Sequence, residues 1–335
     1  MILGAGAIGG ALGGRLAQAG RETILVARGD DLEAMRRDGL RLRTPEEDIR
    51  VPVTAVAGPD EVNLRPDDVL VATAKTQQLA ALLPTWADAP VGTGRQVSGS
   101  AGEQLPVLMA TNGVAAEDLA LRYFARVFGV CVWSPAARLD PGEVVARGTP
   151  VSGVFHVGRV PARLGGSDGD LLDQVEADWT AARFRLHRPV DVMEWKYRKL
   201  ISNLGNVFEA LVGRTGEVRD LRQAADREAR EVLDGAGIRY TSDEEEAAAR
   251  ADGFEVRPVP GVEQYLGGST WQSLTRSTGD IETDYLNGEI AAIAHRHGLA
   301  APINAGLAAL GRQAALRGQR PGDLAPADLA AVLGR

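Results

Sequence analysis

The sequence predicts a doubly wound α/β domain followed by an all-helical one, and three observations carry that prediction. A glycine-rich turn, GAGAIGG at residues 4–10, stands between a short apolar strand and a glycine-rich helix. From there to about residue 188, apolar strand-like runs alternate with helical stretches. Beyond that point the strand patterns vanish, and helical periodicity rich in alanine, leucine and arginine takes over. The expected division is 1–188 and 189–335.

Each element follows in order. MIL is the first strand, AIGGALGGRLAQAG a helix and ETILVARG a second β-branched strand, which together make a βαβ unit. Only three residues precede Gly4, which is short for a central parallel strand: either that strand is truncated or the chain start lies upstream. DDLEAMRRDGL reads as a short helix and IRVPVTAV as a strand interrupted by Pro52. DDVLVATAK and LPVLMATNG read as buried strands, with TQQLAALLPTW a helix after the first. The Gly/Ser-rich stretch PVGTGRQVSGSAGEQ between them reads as a flexible surface loop. A helix around AAEDLALRYFA and strands in VFGVCVWSP, EVVARG and SGVFHVG come next. The helix DLLDQVEADWTAA and a strand near FRLHRP close this half. VMEWKYRKLISNLGNVFEALVG has helical periodicity throughout, and TSDEEEAAAR carries a capping box at Ser242 and Glu245, so its acidic run is a solvated helix start. No internal repeat is present.

Composition narrows the function classes. The 335 residues are 44% hydrophobic, enough for a sizeable core, and the formal net charge is -8 with 5% aromatic residues. With no basic run, neither a nucleic acid nor an anionic membrane is an expected partner. Cys131 is the single cysteine, which excludes an internal disulfide and a cysteine-based metal site. Of the four histidines, His156 and His187 are scattered, and His295 and His297 lie two apart on a helix and so point in different directions; no metal is expected. No apolar run approaches the ~18–20 residues of a membrane span, and no charged segment precedes a hydrophobic one, so a cytoplasmic protein is expected. A homodimer is left open.

The glycine turn has the spacing G-x-G-x-x-G, and each glycine has its own reason. Gly4 permits a tight turn out of the strand, Gly6 lets backbone approach a pyrophosphate, and Gly9 lets the helix pack closely on the sheet. The first-turn residues Ala7, Ile8 and Gly9 would then aim unpaired N–H groups and the positive end of the helix dipole at the phosphates. At the end of the second strand, where an acid would accept from a ribose 2′-hydroxyl, the chain has Ala27 followed by Arg28. A guanidinium there favours NADP(H) over NAD(H), because it can grip a 2′-phosphate bidentately. The other reading of Arg28 is a solvated loop residue beside Asp30 and Asp31.

Ligands of open α/β sheets bind outside the carboxyl ends of the strands, and two strands here end in polar residues, Lys75 and Asn112. Either could meet a cofactor or a substrate anion; a solvated strand end and an ordinary Asn-Gly turn are the alternatives. Lys199, Asn203 and Asn206 are spaced i, i+4, i+7, which places them on one face of a continuous helix. Asparagine is a poor helix former, so two of them aligned with a lysine suggest a polar face turned to a ligand; a solvent-facing stripe is the alternative.

These segments in this order resemble the ketopantoate reductase (2-dehydropantoate 2-reductase) family. The matching stretches are GAGAIGG, ATAK, TNGV, WKYRKLISNLGN, STWQSLTRSTGDIETDYLNGEI and HGLAAPIN, which span nearly the whole chain. The resemblance implies an N-terminal Rossmann-type domain and a helical C-terminal domain, with NADPH and a 2-keto acid in the cleft between them. It makes Lys199 the proton donor to the carbonyl oxygen and Glu282 a contact to substrate that orients the lysine. Lys75 and Asn112 would lie near nicotinamide and substrate, Asn203 on the substrate, and Ser269 at its carboxylate. Two departures touch the substrate side. The family's second helix asparagine, eight residues after the lysine, is Val207 here, with Asn206 one step earlier. The segment from Ser269 to Glu282 is also one residue longer than the commonest pattern. The expected function is therefore NADPH-dependent reduction of a 2-keto acid, with ketopantoate first in line. Reduction of another ketone or imine, or a redox-inactive NADP-binding module, are the alternatives.

Overall fold

The computed structural model describes residues 1–94, 96–251, 254–264, 266–276 and 281–334. Residues 277–280, inside the late motif, lie outside the described residues. The chain forms two compact units. Met1–Thr111, Ala116–Trp195 and Asp243–Gln264 make the first; Asn112–Ala115, Lys196–Ser242 and Tyr265–Arg335 make the second. The helical unit thus starts a few residues later than the sequence boundary at 188/189, takes in 112–115 and gives up 243–264.

In the first unit, β1 (Ile2–Leu3) leads through the glycine turn into α1 (Ala7–Gln18), β2 (Ile24–Val26) and α2 (Gly29–Asp38). β3 (Leu40–Arg43) and β4 (Asp48–Val51) follow, and Pro52 separates β4 from β5 (Thr54–Val56) as its missing N–H requires. Next come β6 (Leu70–Ala72), α3 (Leu79–Ala87), β7 (Pro90–Thr93), β8 (Gln96–Ser100), α4 (Ala101–Gln104), β9 (Pro106–Met109) and α5 (Ala116–Ala120). β10 (Arg126–Trp133), β11 (Ala136–Arg138), β12 (Glu143–Ala146), β13 (Gly148–Thr149), β14 (Gly153–Val160), α6 (Gly169–Ala181), β15 (Phe184–His187) and the first turn of α7 (Val192–Asn203) complete the series.

Eight strands form one sheet in the order β15-β14-β10-β9-β6-β1-β2-β5. Only the β10–β14 pairing is antiparallel. Strand order reverses at β1, flanked by β2 and β6, so the glycine turn that follows β1 lies at the topological switch point, where such sheets bind ligands. β1, β6 and β9 are buried along their whole length, which is why they read as unbroken apolar runs. A second sheet, β11-β12-β3-β4, packs on α1 as well. The paired glycines of that helix answer both sheets. A Cβ at Gly13 would lie 2.3 Å from Leu25 Cδ2 of the large sheet, and one at Gly10 would lie 2.5 Å from Val144 Cγ2 of the small one.

The expected surface loop at 90–104 is corrected by the structure: it contains the antiparallel β7–β8 pair and α4. Its strand character was hidden because few of its residues are apolar. Val91 is fully buried and bridged to Leu64, whereas Val97 is exposed. Ser100 and Glu103 form a capping box at the start of α4.

The opening turn of α7 packs on bare patches of the large sheet. Val192 covers Gly129 and Gly158, where a Cβ would lie 2.9 Å and 3.1 Å from its side chain. Trp195 stacks on His156 at 3.8 Å, and His187 stacks on the same ring at 5.0 Å. His156 is 1% exposed, and neither of its ring nitrogens has a hydrogen-bond partner among the described residues. Burial, with a smaller contribution from His187, pushes its pKa down to about 3.

The second unit continues α7 and adds α8 (Asn206–Val212) and α9 (Arg219–Gly235). α10 (Asp243–Ala251) and β16 (Glu255–Val256) return to the first unit, where β16 pairs with β13. α11 (Ser269–Thr275), α12 (Asn287–Arg296), α13 (Pro302–Leu316) and α14 (Pro326–Val332) finish the helical unit around a core that includes Phe208, Leu211, Leu307 and Leu329. The long helix read from the sequence is divided in two: α7 stops at Asn203 and α8 starts at Asn206. Among the described residues, no helix is long and apolar enough to cross a membrane.

Candidate active site

The first unit builds a glycine cradle at the switch point. Gly4 has φ +116°, and a Cβ there would lie 2.8 Å from the Ala74 nitrogen, so both conformation and space demand glycine. The strand end after β6 holds this turn in place. The amides of Thr73 and Ala74 donate to the Leu3 carbonyl (3.0 and 3.1 Å), and Thr73 Oγ1 donates to the Gly4 carbonyl at 2.6 Å. Gly9 sits so close that a Cβ would lie 2.0 Å from the Gly4 oxygen. Gly6 is the N-cap of α1, and a Cβ added there would meet nothing within 4 Å. No side chain caps this helix, and its first turn, with Ala7, Ile8 and Gly9, carries no acid. Unpaired N–H donors, a positive dipole end and room for a close approach are what a diphosphate needs.

Two other predicted residues belong to this unit. Arg28 is exposed at the N-cap of α2, and its neighbour Asp31 is engaged elsewhere, accepting from Arg138 Nε (2.9 Å) and from the Gly142 amide (3.0 Å). Lys75 is half-buried directly after Ala74, the residue against Gly4.

The second unit assembles the polar residues. Asn112 and Gly113 join it through a close approach: Gly113 has φ +75°, and a Cβ there would lie 2.6 Å from the Tyr285 carbonyl oxygen. Glu282, three residues before Tyr285, is 9% exposed. Lys199 Nζ donates to Asn112 Oδ1 at 3.0 Å, and Asn203 Nδ2 donates to the same oxygen at 3.4 Å. One amide oxygen thereby orients an ammonium and a second amide, as its two lone pairs permit.

Asn206 does not continue the face of Lys199 and Asn203, because the helix is interrupted between them. It opens α8 beside Gly268, where a Cβ would lie 3.4 Å from Asn206 Oδ1 and 3.1 Å from Glu209 Oε2. The Gly268 amide donates to Glu209 Oε2 at 2.9 Å, and Ser269 follows as the first residue of α11. Val207 is 1% exposed within the hydrophobic core. Sequence reasoning missed Thr73, whose only signal was its place between two strand-end alanines. It also missed a pocket of about 600 Å³ lined by Glu209, Arg214, Thr215 and Arg222, which no spacing rule announces.

Comparison with known proteins identifies the family to which both parts of the chain are similar. The family model described as ketopantoate reductase PanE/ApbA matches residues 1–162, and the model of its C-terminal part matches residues 191–315. A 2-dehydropantoate 2-reductase of Pyrococcus abyssi is 26% identical over 90% of this chain and 93% of its own length. A PanE/ApbA family ketopantoate reductase structure from Ralstonia eutropha JMP134 has a TM-score of 0.74 at 25% identity, covering 95% of this chain and 98% of that one. D-mandelate dehydrogenase, solved with NADH and anilino(oxo)acetate, shares the fold at 20% identity, with a TM-score of 0.74 and coverage of 95% and 98%.

Proposed function

From the premise that the chain belongs to the ketopantoate reductase family, we propose that it is an NADPH-dependent reductase of a 2-keto acid, with 2-dehydropantoate the first substrate to try. The observation that carries this reading is the convergence of Lys199 and Asn203 on Asn112 Oδ1. A redox-inactive nucleotide-binding module would have no use for an ammonium held in place this way.

When bound, the reduced nicotinamide supplies a hydride to the carbonyl carbon of the substrate. The chain's own residues do the rest. The first turn of α1, with Gly6 at its cap, would hold the diphosphate, and Arg28 would take the 2′-phosphate. As negative charge grows on the carbonyl oxygen, the Lys199 ammonium stabilises it and gives up a proton to form the hydroxyl. Asn112 accepts one of the three ammonium N–H bonds and so fixes the direction of the others. Glu282 would contact substrate, and Asn203, Asn206 and Ser269 would bind its polar groups.

One observation favours a second reading, reduction of a different ketone or imine by the same machinery. The position of the family's second helix asparagine is Val207, and that side chain is buried in the core rather than offered to a substrate. The test is loss of reduced-nicotinamide absorbance with 2-dehydropantoate and with a panel of other 2-keto acids, ketones and imines, using NADPH and NADH in parallel. Nucleotide binding without turnover on any of them would leave only the module reading.

A further inference from the structure

The joint between α7 and α8 falls directly after Asn203, and Gly205 does not explain it. Gly205 has helical angles (φ −69°, ψ −19°), and a Cβ there would meet nothing within 4 Å. Neither a left-handed turn nor a close approach calls for glycine at that position. The distinguishing feature is the Leu204 carbonyl. An uninterrupted helix would offer it to the N–H of residue 208; here it accepts the side-chain amide of Asn287, with Nδ2 at 3.3 Å.

Asn287 is 0% exposed, and its Nδ2 also donates to Asn304 Oδ1 at 2.9 Å. Asn304, equally buried, donates from Nδ2 to Glu228 Oε1 (2.9 Å) and to the Ala225 carbonyl (3.0 Å). The Glu228 carboxylate in turn accepts the backbone amides of Ile303 and Asn304, at 2.9 and 2.8 Å, in the first turn of α13. A buried polar chain therefore runs from α9 through α13 and α12 to the residue after Asn203.

We propose that Asn287 is a positioning residue for the reduction: it fixes where α7 stops and so aims Lys199 and Asn203 at Asn112. This rests on the reading of Lys199 as proton donor. Asn203 ends α7 and Lys199 lies one turn before it, so both flank the last turn, the part of a helix whose carbonyls lack intrahelical partners. Apolar packing tolerates small slides of a helix end, whereas a buried amide with both N–H groups committed selects one arrangement. A misplacement of about 1 Å at a proton donor can cost on the order of 10²-fold in rate.

The test is a double-mutant cycle on the full chain. Asn287→Ala should lower kcat roughly 10- to 100-fold while leaving the KM for nucleotide nearly unchanged. Combined with Asn112→Ala it should add little to the loss caused by Asn112→Ala alone, because both act through Lys199. Leu211→Ala, a core variant of the same unit, serves as the destabilised control and should lower Tm without touching kcat below the transition. Unchanged kcat in Asn287→Ala, or full additivity with Asn112→Ala, overturns the proposal. Lys199→Ala runs alongside: turnover retained there overturns the proton-donor reading itself, whatever Asn287 does. Should Asn287→Ala fail to fold, Asn304→Ser, which keeps Asn287 but removes its anchor, enters the same cycle with the same two outcomes.

Discussion

Lys199 carries the proposed chemistry, and its replacement measures how much. Lys199→Ala is expected to lower turnover roughly 10²–10⁴-fold, the usual worth of a positioned general acid. Nucleotide affinity, measured by fluorescence titration, should barely change; turnover near the parent value would remove Lys199 from the mechanism. Arg28 is tested by contrast between cofactors. Because Asp31 is occupied by Arg138 and the Gly142 amide, Arg28 is not neutralised by that neighbour. Arg28→Ala should weaken NADPH binding about tenfold and leave NADH binding nearly untouched, as loss of a phosphate contact requires. Equal losses for both cofactors would argue against a phosphate role. That Lys199 and Asn203 share one helix face was legible from their i, i+4 spacing, whereas their meeting at Asn112 Oδ1, 87 and 91 residues away in sequence, was not. Nor was Asn287, since a lone asparagine before a helix reads as an ordinary cap, and only its burial beside Leu204 gives it meaning.

The elements were legible wherever one face alternates or a run is wholly apolar, and illegible where local composition and tertiary context disagree. β6 and β9 announced themselves as apolar runs. β7 and β8 did not, because glycine and serine hide a pairing in which Val91 is buried and bridged to Leu64. The α7–α8 joint escaped notice for the opposite reason: the periodicity continues across it while a side chain from α12 interrupts it. α1 shows how strongly packing overrides helix propensity. Gly13→Ala should gain about 1 kcal/mol from propensity and lose more, roughly 1–3 kcal/mol, through overpacking against Leu25. Urea denaturation should therefore find the variant destabilised; a stabilised variant would mean that Leu25 has room to move.

At the scale of the molecule, acid should act through His156. Its folded pKa of about 3 lies below the ordinary histidine value of 6.5. Above pH 6.5 the ring is neutral in both states and contributes no pH dependence. As pH falls from 6.5 toward 3 the unfolded chain takes up a proton that the folded one refuses, so stability drops. By pH 4.5 the loss is on the order of 2–3 kcal/mol. His156→Phe should flatten this part of the curve in urea titrations at pH 7 and pH 4.5; an unchanged slope would exonerate the buried ring. The two-part layout was legible from the change in periodicity, but the interleaving of the two compact units was not. Residues 112–115 follow a strand of the α/β unit yet sit with the helices, held by the Gly113–Tyr285 approach. Scissors applied at the obvious place would therefore mislead. A fragment beginning at residue 189 would keep the amine and lose the oxygen that steers it, and would understate what the intact chain can do.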